Sequence, residues 1–257
     1  MKQEKVVKII QTLLIVILSA VFLVSTCILS KSIYEYIKAD SAYHHMQDEY
    51  IRPNTEPQQT ESDIPQQTEA AELPITVDFD ALLARNPDVV GWLYCPGTVI
   101  NYPVVLGKDN DQYLYTDLDG NYLVSGTLFA DYRNGALGVD GNYIIYGHNM
   151  KNGSMFHSLV KYANQSYYDK HPTIFYLTPD ANYKLELFAG LTIDHNDTIY
   201  KRNYGDGLYE LLKDYQRRST FLSDVELAES DTVVTLSTCT FEYDNARYIV
   251  IGRLTPA

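Results

Sequence analysis

The chain has 257 residues, 46% of them hydrophobic, with 20 Lys and Arg against 33 Asp and Glu, so its formal net charge is −13. This acidic balance excludes nucleic acid as a partner, because phosphate binding requires a basic face. The apolar residues are unevenly distributed: residues 9–30 contain no charged side chain. Such a run is long enough to cross a hydrocarbon core of about 30 Å as a helix. A wholly cytosolic, soluble protein is therefore excluded.

The charges that flank the apolar run predict its orientation. Lys2, Lys5 and Lys8 precede it, whereas the chain after it soon turns acidic. By the positive-inside rule, residues 1–8 stay in the cytoplasm and the rest of the chain is extracellular. A cleaved signal peptide is the alternative. The run is longer than the usual apolar region of about 7–15 residues and lacks a clear small-x-small cleavage site, which favours an uncleaved single-pass anchor over residues 9–30.

The segment over residues 31–74 is predicted to separate this anchor from the next domain. Residues 32–47 have a mixed pattern that suits a short helix. Residues 48–73 are poor in apolar side chains, rich in proline, and contain PQQTE twice. Such a composition buries too little surface to offset chain entropy. We expect a flexible stalk that holds the following domain away from the bilayer.

Residues 75–257 have the composition of one globular domain with a proper core. Short runs rich in Val, Ile, Tyr and Thr, bounded by turn residues, predict strands in this region. They cover residues 91–94, 99–105, 122–129, 142–146, 173–177, 183–193, 232–238 and 247–254. About eight such runs predict a closed barrel or a sandwich. Helical patterns cover residues 79–85, 154–163 and 207–218, and the last would pack one apolar face onto the barrel.

Two of the three cysteines lie outside the apolar run that contains Cys27, and their placement leaves two interpretations. An extracellular pair, Cys95 and Cys239, usually indicates a disulfide. However, Cys239 ends a run of β-branched residues, and Arg247 begins the next predicted strand. A hairpin would bring the guanidinium beside the thiol, where a cation stabilises the nucleophilic thiolate. The chemistry favours a free thiol at Cys239 and a buried packing role for Cys95.

A nucleophilic cysteine also needs a proton carrier, and His148 is the best placed candidate. It follows Gly147 at the end of the apolar run NYIIYGHNM, where a sharp turn would present the imidazole at the rim of the barrel. His171 and His195 have the sequence context of loops, and His157 falls within a predicted helix as a surface residue. No spacing of Cys or His suggests zinc, and no calcium-loop pattern occurs.

Four sequence features, considered together, resemble those of a known protein family. TLSTC at 235–239, YGHNM at 146–150, the downstream Arg247, and NPDVVGWLYCPGTVINYPVVLGKDNDQYL from residue 86 to 114 together resemble the sortases, most closely class B. The resemblance covers nearly all of residues 78–254, and the N-terminal anchor agrees with it. It implies a mainly β fold, a sortase-like closed eight-stranded barrel with a few peripheral helices.

The resemblance also implies an activity. Sortases are membrane-anchored cysteine transpeptidases of Gram-positive bacteria that cleave a C-terminal sorting signal in a secreted protein, hold the acyl fragment as a thioester and pass it to an amine. In class B the amine usually belongs to peptidoglycan. By position, Cys239 matches the nucleophile, His148 the general acid and base, and Arg247 the residue that stabilises the oxyanion. Acyl transfer by these groups needs no cofactor.

Four further positions match residues that line the class B peptide groove. They are Asn110, Leu114, Tyr146 and Ser237. The connection over residues 192–222 matches the segment that selects the sorting signal, although its sequence does not identify the recognised peptide. The alternative functions are an L,D-transpeptidase-like peptidoglycan enzyme and a catalytically silent tethered binding domain.

Overall fold

The structure is a computed structural model that describes residues 2–54, 73–139, 141–201 and 204–257. Within these ranges there are four α-helices, α1 (Lys2–Tyr50), α2 (Phe79–Arg85), α3 (Gln165–Tyr168) and α4 (Leu208–Arg218). The strands are β1 (Ile51–Pro53), β2 (Ile75–Val77), β3 (Val89–Tyr94), β4 (Asn101–Val105), β5 (Leu128–Ala130), β6 (Asn142–Tyr146), β7 (Thr173–Leu177), β8 (Asn182–Asp194), β9 (Val233–Cys239) and β10 (Ala246–Pro256). Short 3-10 helices cover Phe156–Ala163, Thr198–Tyr200 and Gly205–Gly207.

Eight of the strands form a closed barrel in the order β10-β8-β7-β3-β4-β5-β6-β9, which confirms the predicted architecture. The β4–β5 and β6–β9 pairs are parallel, and the other barrel pairs are antiparallel. Closure pairs every strand on both sides, so the barrel has no free edge. β9 consequently lies between β6 and β10, and its C-terminal end is held by hydrogen bonds from both neighbours.

Two predicted elements differ from the structure. The strand predicted over residues 122–129 is reduced to β5, because Gly126 adopts φ +55° and a Cβ there would lie 2.2 Å from the Leu114 carbonyl oxygen. The chain therefore turns at this glycine instead of extending. The helix predicted over residues 154–163 is a 3-10 helix over Phe156–Ala163. Its buried Phe156, Leu159 and Tyr162 are spaced three apart, which is the period of that helix.

The N-terminal helix departs most from the sequence-based expectation. α1 does not end near residue 47 but continues to Tyr50, and it buries Ala39, Tyr43, Met46 and Tyr50 against the barrel. β1 follows directly and pairs with β2. The globular unit therefore starts well before the predicted boundary at residue 75. Of the predicted flexible segment, residues 55–72 lie outside the described residues.

Other features of the core agree with the sequence. Cys95 is fully buried and, like Cys239, a free thiol, so the disulfide interpretation is wrong. α4 buries Leu212 and Tyr215 in a cluster with residues of β8, as its spacing predicts. In the described part of the chain, one helix is long and apolar enough to cross a membrane, and it starts near the N-terminus.

Candidate active site

The β9–β10 hairpin places Cys239 beside Arg247. The two residues are register partners at the turn end of the hairpin. Side chains of directly opposed residues lie on the same face, with Cβ atoms about 4.5–5.5 Å apart. The connecting turn includes Asn245 at φ +64°, a conformation that asparagine adopts more readily than most residues. Both Cys239 and Arg247 remain partly exposed, so the thiol and guanidinium share one accessible face.

The adjacent strand brings His148 to the same end of the barrel. β6 runs parallel to β9 with Tyr146 opposite Ser237, so the chain reaches His148 at the level of Cys239. The strand end is fixed by Gly147, whose N–H donates to the Ser237 carbonyl at 3.2 Å. A Cβ at Gly147 would lie 2.3 Å from Leu128 Cδ2. The same Cβ would lie 2.8 Å from Phe156 Cδ2, so a side chain directly before His148 would displace both Leu128 and Phe156.

The imidazole of His148 is held by one hydrogen bond and one ring contact. Its Nε2 lies 2.7 Å from the Leu114 carbonyl oxygen, and its ring is 5.1 Å from the Tyr115 ring. A carbonyl oxygen only accepts, so Nε2 carries the hydrogen and Nδ1 is the nitrogen that takes up and releases a proton. Burial lowers the pKa of His148 below its ordinary value of 6.5, against the opposing effect of the Leu114 carbonyl. The neutral ring is thus the resting form at neutral pH.

Sequence reasoning missed a side-chain bridge behind the cysteine. Asn149 Nδ2 donates a hydrogen bond to the Cys239 carbonyl oxygen at 2.9 Å, and Asn149 Oδ1 lies 2.8 Å from His157 Nδ1. His157 is therefore partly buried and bonded, not the surface residue that the sequence predicts. Asn149 stands within the YGHNM stretch, next to His148, and that adjacency is the only signal in the sequence. The bridge ties the strand end that carries the thiol to the loop that carries the imidazole.

A buried carboxylate organises the opposite wall of the site. Asp131 is fully buried and accepts hydrogen bonds from Tyr146 Oη at 2.9 Å and from Arg133 Nη2 at 2.7 Å. Asn110 Nδ2 lies 3.4 Å from the same carboxylate oxygen, Asp131 Oδ2. Burial alone would raise the pKa of Asp131, but the hydrogen bonds from Arg133 and Tyr146 outweigh it and hold the pKa below its ordinary value. The ionised carboxylate therefore fixes Tyr146 and Asn110.

The long connection between β8 and β9 also reaches the site. Tyr200 shares a hydrogen bond of 2.7 Å with the Ser237 hydroxyl, and its ring stacks on Tyr146 at 6.2 Å. Burial raises the pKa of Tyr200, so the phenol stays protonated at neutral pH. Residues 192–222 were expected to contribute to the groove, and Tyr200 is a residue of this segment that contacts it. Tyr200 is not among the predicted site residues.

All seven predicted site residues line one cavity of about 200 Å³. They are Asn110, Leu114, Tyr146, His148, Ser237, Cys239 and Arg247, and Phe129, Gly147 and Thr238 complete the wall. A second cavity of about 540 Å³ adjoins the first and shares Tyr146 and Arg247 with it. This arrangement brings a thiol, an imidazole and a guanidinium together around one cavity.

Comparison with known proteins relates this arrangement to one family. The sortase domain model matches residues 93–255. Sortase B of Listeria monocytogenes is 36% identical over 173 residues, which cover 66% of this chain and 70% of the relative. The structure of a Staphylococcus aureus sortase B–substrate complex has a TM-score of 0.65 and 33% identity, covering 70% of this chain and 85% of that chain. A sortase B complexed with triglycine has a TM-score of 0.64 and 32% identity, covering 70% and 86% of the two chains.

Proposed function

The chain belongs to the sortase family, with class B members among its relatives, and on that premise we propose that it anchors secreted proteins to the cell wall. In this proposal a sorting-signal peptide acylates Cys239, and the acyl group passes to a peptidoglycan amine. The supporting observation is that Cys239, His148 and Arg247 line one cavity. The L,D-transpeptidase alternative has no support from the family match.

The first half-reaction makes a thioester and releases an amine. The Cys239 thiol first gives its proton to the neutral His148, which forms the thiolate and the imidazolium. The thiolate attacks the scissile carbonyl carbon, and Arg247 stabilises the negative charge on the carbonyl oxygen. As the C–N bond breaks, His148 as imidazolium gives its proton to the leaving nitrogen. The peptide fragment after the cleaved bond departs as an amine, and the fragment before it stays on sulfur.

The second half-reaction uses the same groups in reverse. The neutral His148 takes a proton from the incoming amine, whose nitrogen attacks the thioester carbonyl. The C–S bond breaks and Cys239 leaves as a thiolate. The Leu114 carbonyl holds Nε2 throughout, so Nδ1 alone carries the transferred proton. One relative is complexed with triglycine, a peptide with a free amine, which supports an amine as acceptor.

Substrate positioning is proposed for Asn110, Leu114, Tyr146 and Ser237. Three of them are oriented by contacts that are independent of any substrate, namely Asn110 and Tyr146 by Asp131 and Ser237 by Tyr200. Such preorganisation lowers the entropy lost when a peptide binds. A relative solved as a sortase B–substrate complex supports substrate binding by this fold.

The proposed location is the cell membrane, with a single span over residues 9–30. The N-terminal residues 1–8 would be cytoplasmic and the barrel extracellular, where secreted substrates and peptidoglycan are found. The apolar helix and the family support this location.

Transpeptidation by the fragment that begins at residue 31 tests the proposal. The fragment is incubated with a library of sorting-signal peptides and triglycine, and ligated products are identified by mass spectrometry. We expect a ligated product that Cys239→Ala abolishes and that His148→Ala slows by about 10²–10⁴ in kcat. His44→Ala, at an exposed histidine of α1, is the matched control and should leave the rate unchanged.

Absence of product from every peptide, with a folded fragment, would contradict the proposal. A thiol that alkylates normally but accepts no peptide would favour the silent binding domain.

A further inference from the structure

The helix α1 passes from the apolar run to the barrel without interruption, which limits how far the barrel stands from the membrane. Beyond Ser30, Tyr36 already packs against the core cluster, about 9 Å along a helix that rises 1.5 Å per residue, and Lys38 bonds to Tyr122 at about 12 Å. Helical side chains lean toward the N-terminus. The Lys38 ammonium, and the Tyr122 carbonyl that it binds at 3.3 Å, therefore lie on the membrane side of Lys38.

That distance is comparable to the headgroup layer of a bilayer. The hydrocarbon core is about 30 Å thick and the whole bilayer about 40–45 Å, which leaves roughly 5–8 Å of headgroups on each side. A flexible stalk would have allowed a large separation. The continuous helix and its buried residues Tyr43 and Met46 hold the barrel at a fixed, short distance instead.

The surface at this level has the composition of a membrane interface. Tyr122 is 58% exposed and Tyr115 is 47% exposed, and their rings stack at 6.5 Å. On the same stretch of α1, Tyr34 and Ile37 are exposed next to Lys38. Tyrosine rings are favoured at the headgroup level, where one end is apolar and the other hydrated. Within a chain of net charge −13, this patch presents aromatic rings and a lysine.

We propose that the face formed by Tyr115 and Tyr122 rests on the headgroup layer of the membrane that holds α1. This inference rests on the membrane anchor in the proposed function. The Tyr115 ring also contacts His148 at 5.1 Å, so the same face adjoins the proposed active site. The site therefore opens beside the membrane surface, and a substrate carried on that membrane reaches the cavity without leaving the surface.

Fluorescence quenching from the lipid headgroups tests the proposal on the full chain. A probe is attached at Tyr122→Cys or, as the control, at Thr76→Cys, with Cys27→Ser and Cys239→Ala in both proteins. Cys95 is fully buried and stays unlabelled. Thr76 is exposed on β2, opposite Arg52 of the strand that directly follows α1, and α1 ends about 18 Å further along its axis than Lys38. The proteins are reconstituted in phosphatidylcholine vesicles in which part of the lipid carries a headgroup nitroxide.

We expect several-fold stronger quenching at position 122 than at position 76. Tyr34→Pro, at an exposed position between anchor and barrel, should remove the difference because it breaks the helix. Equal quenching at both positions, with α1 shown by protease protection to be inserted, would overturn the inference alone. Failure of α1 to insert would overturn both the inference and the anchor, while transpeptidation by the soluble fragment would still test the proposed chemistry separately.

Discussion

Tyr43 offers a quantitative test of whether α1 belongs to the folded unit. Its ring is 5% exposed and meets Tyr102 edge to face at 5.0 Å, and its hydroxyl donates to the Gly126 carbonyl. Replacing a buried aromatic side chain by alanine costs about 3–5 kcal/mol. Tyr43→Phe keeps the ring and loses only the hydrogen bond, which should lower the free energy of unfolding by about 1 kcal/mol. Tyr34→Ala, at an exposed position on the same helix, should change stability by less than about 0.5 kcal/mol.

Urea unfolding of the fragment that begins at residue 31, followed by circular dichroism, measures these differences. With a slope of about 2–3 kcal/mol per molar urea, Tyr43→Ala should lower the midpoint by about 1–2.5 M. The urea midpoint of Tyr43→Phe should lie between those of Tyr43→Ala and Tyr34→Ala. If Tyr43→Ala moves the midpoint no more than Tyr34→Ala does, the helix does not pack on the barrel in solution and the fixed distance from the membrane is wrong.

Four further predictions concern the site. Asn149→Ala removes the side chain that donates a hydrogen bond to the Cys239 carbonyl, and an acceptor left without its donor costs about 1–3 kcal/mol of free energy. We therefore expect kcat/KM for a sorting peptide to fall by roughly 5- to 150-fold. The circular dichroism spectrum should stay unchanged. Gly147→Ala places a Cβ 2.3 Å from Leu128 Cδ2, so the free energy of unfolding should fall by about 1–3 kcal/mol in a urea titration. An NMR titration of His148 in the Cys239→Ala protein should give a pKa below 6.5, and a higher value would contradict the effect of burial. Because the folded state disfavours the imidazolium, stability should decrease as the pH falls from 6.5 through the His148 pKa.

Local signals in the sequence were sufficient to predict most of the strands and the three central site residues, whereas the choice of a closed barrel over a sandwich came from the family resemblance. A β-branched run ends at Cys239, and Arg247 starts the next strand, so one hairpin determines their proximity. The apolar strand before Gly147 leads His148 to the same end of the barrel. Resemblance to a family added the four groove positions, which no periodicity indicates.

The remaining features depend on contacts between distant parts of the chain. Tyr43 bonds to Gly126, 83 residues away, and nothing in the pattern of α1 indicates that partner. Proline-rich composition after the helix favoured a flexible segment, but tertiary packing overrides that local preference up to residue 54. Gly126 likewise stops a strand whose β-branched and aromatic residues predicted extension. The link between Asn149 and the Cys239 carbonyl spans 90 residues and needs the closed barrel to exist.

The intact mass of the fragment from residue 31, after incubation with a sorting peptide, shows most directly whether Cys239 is the nucleophile. We expect an added acyl fragment that maps to Cys239 by peptide digestion, is absent in Cys239→Ala, and disappears when triglycine is added. An adduct at another residue, or no adduct while Cys239 still reacts with a small alkylating agent, would show that Cys239 is not acylated by sorting peptides.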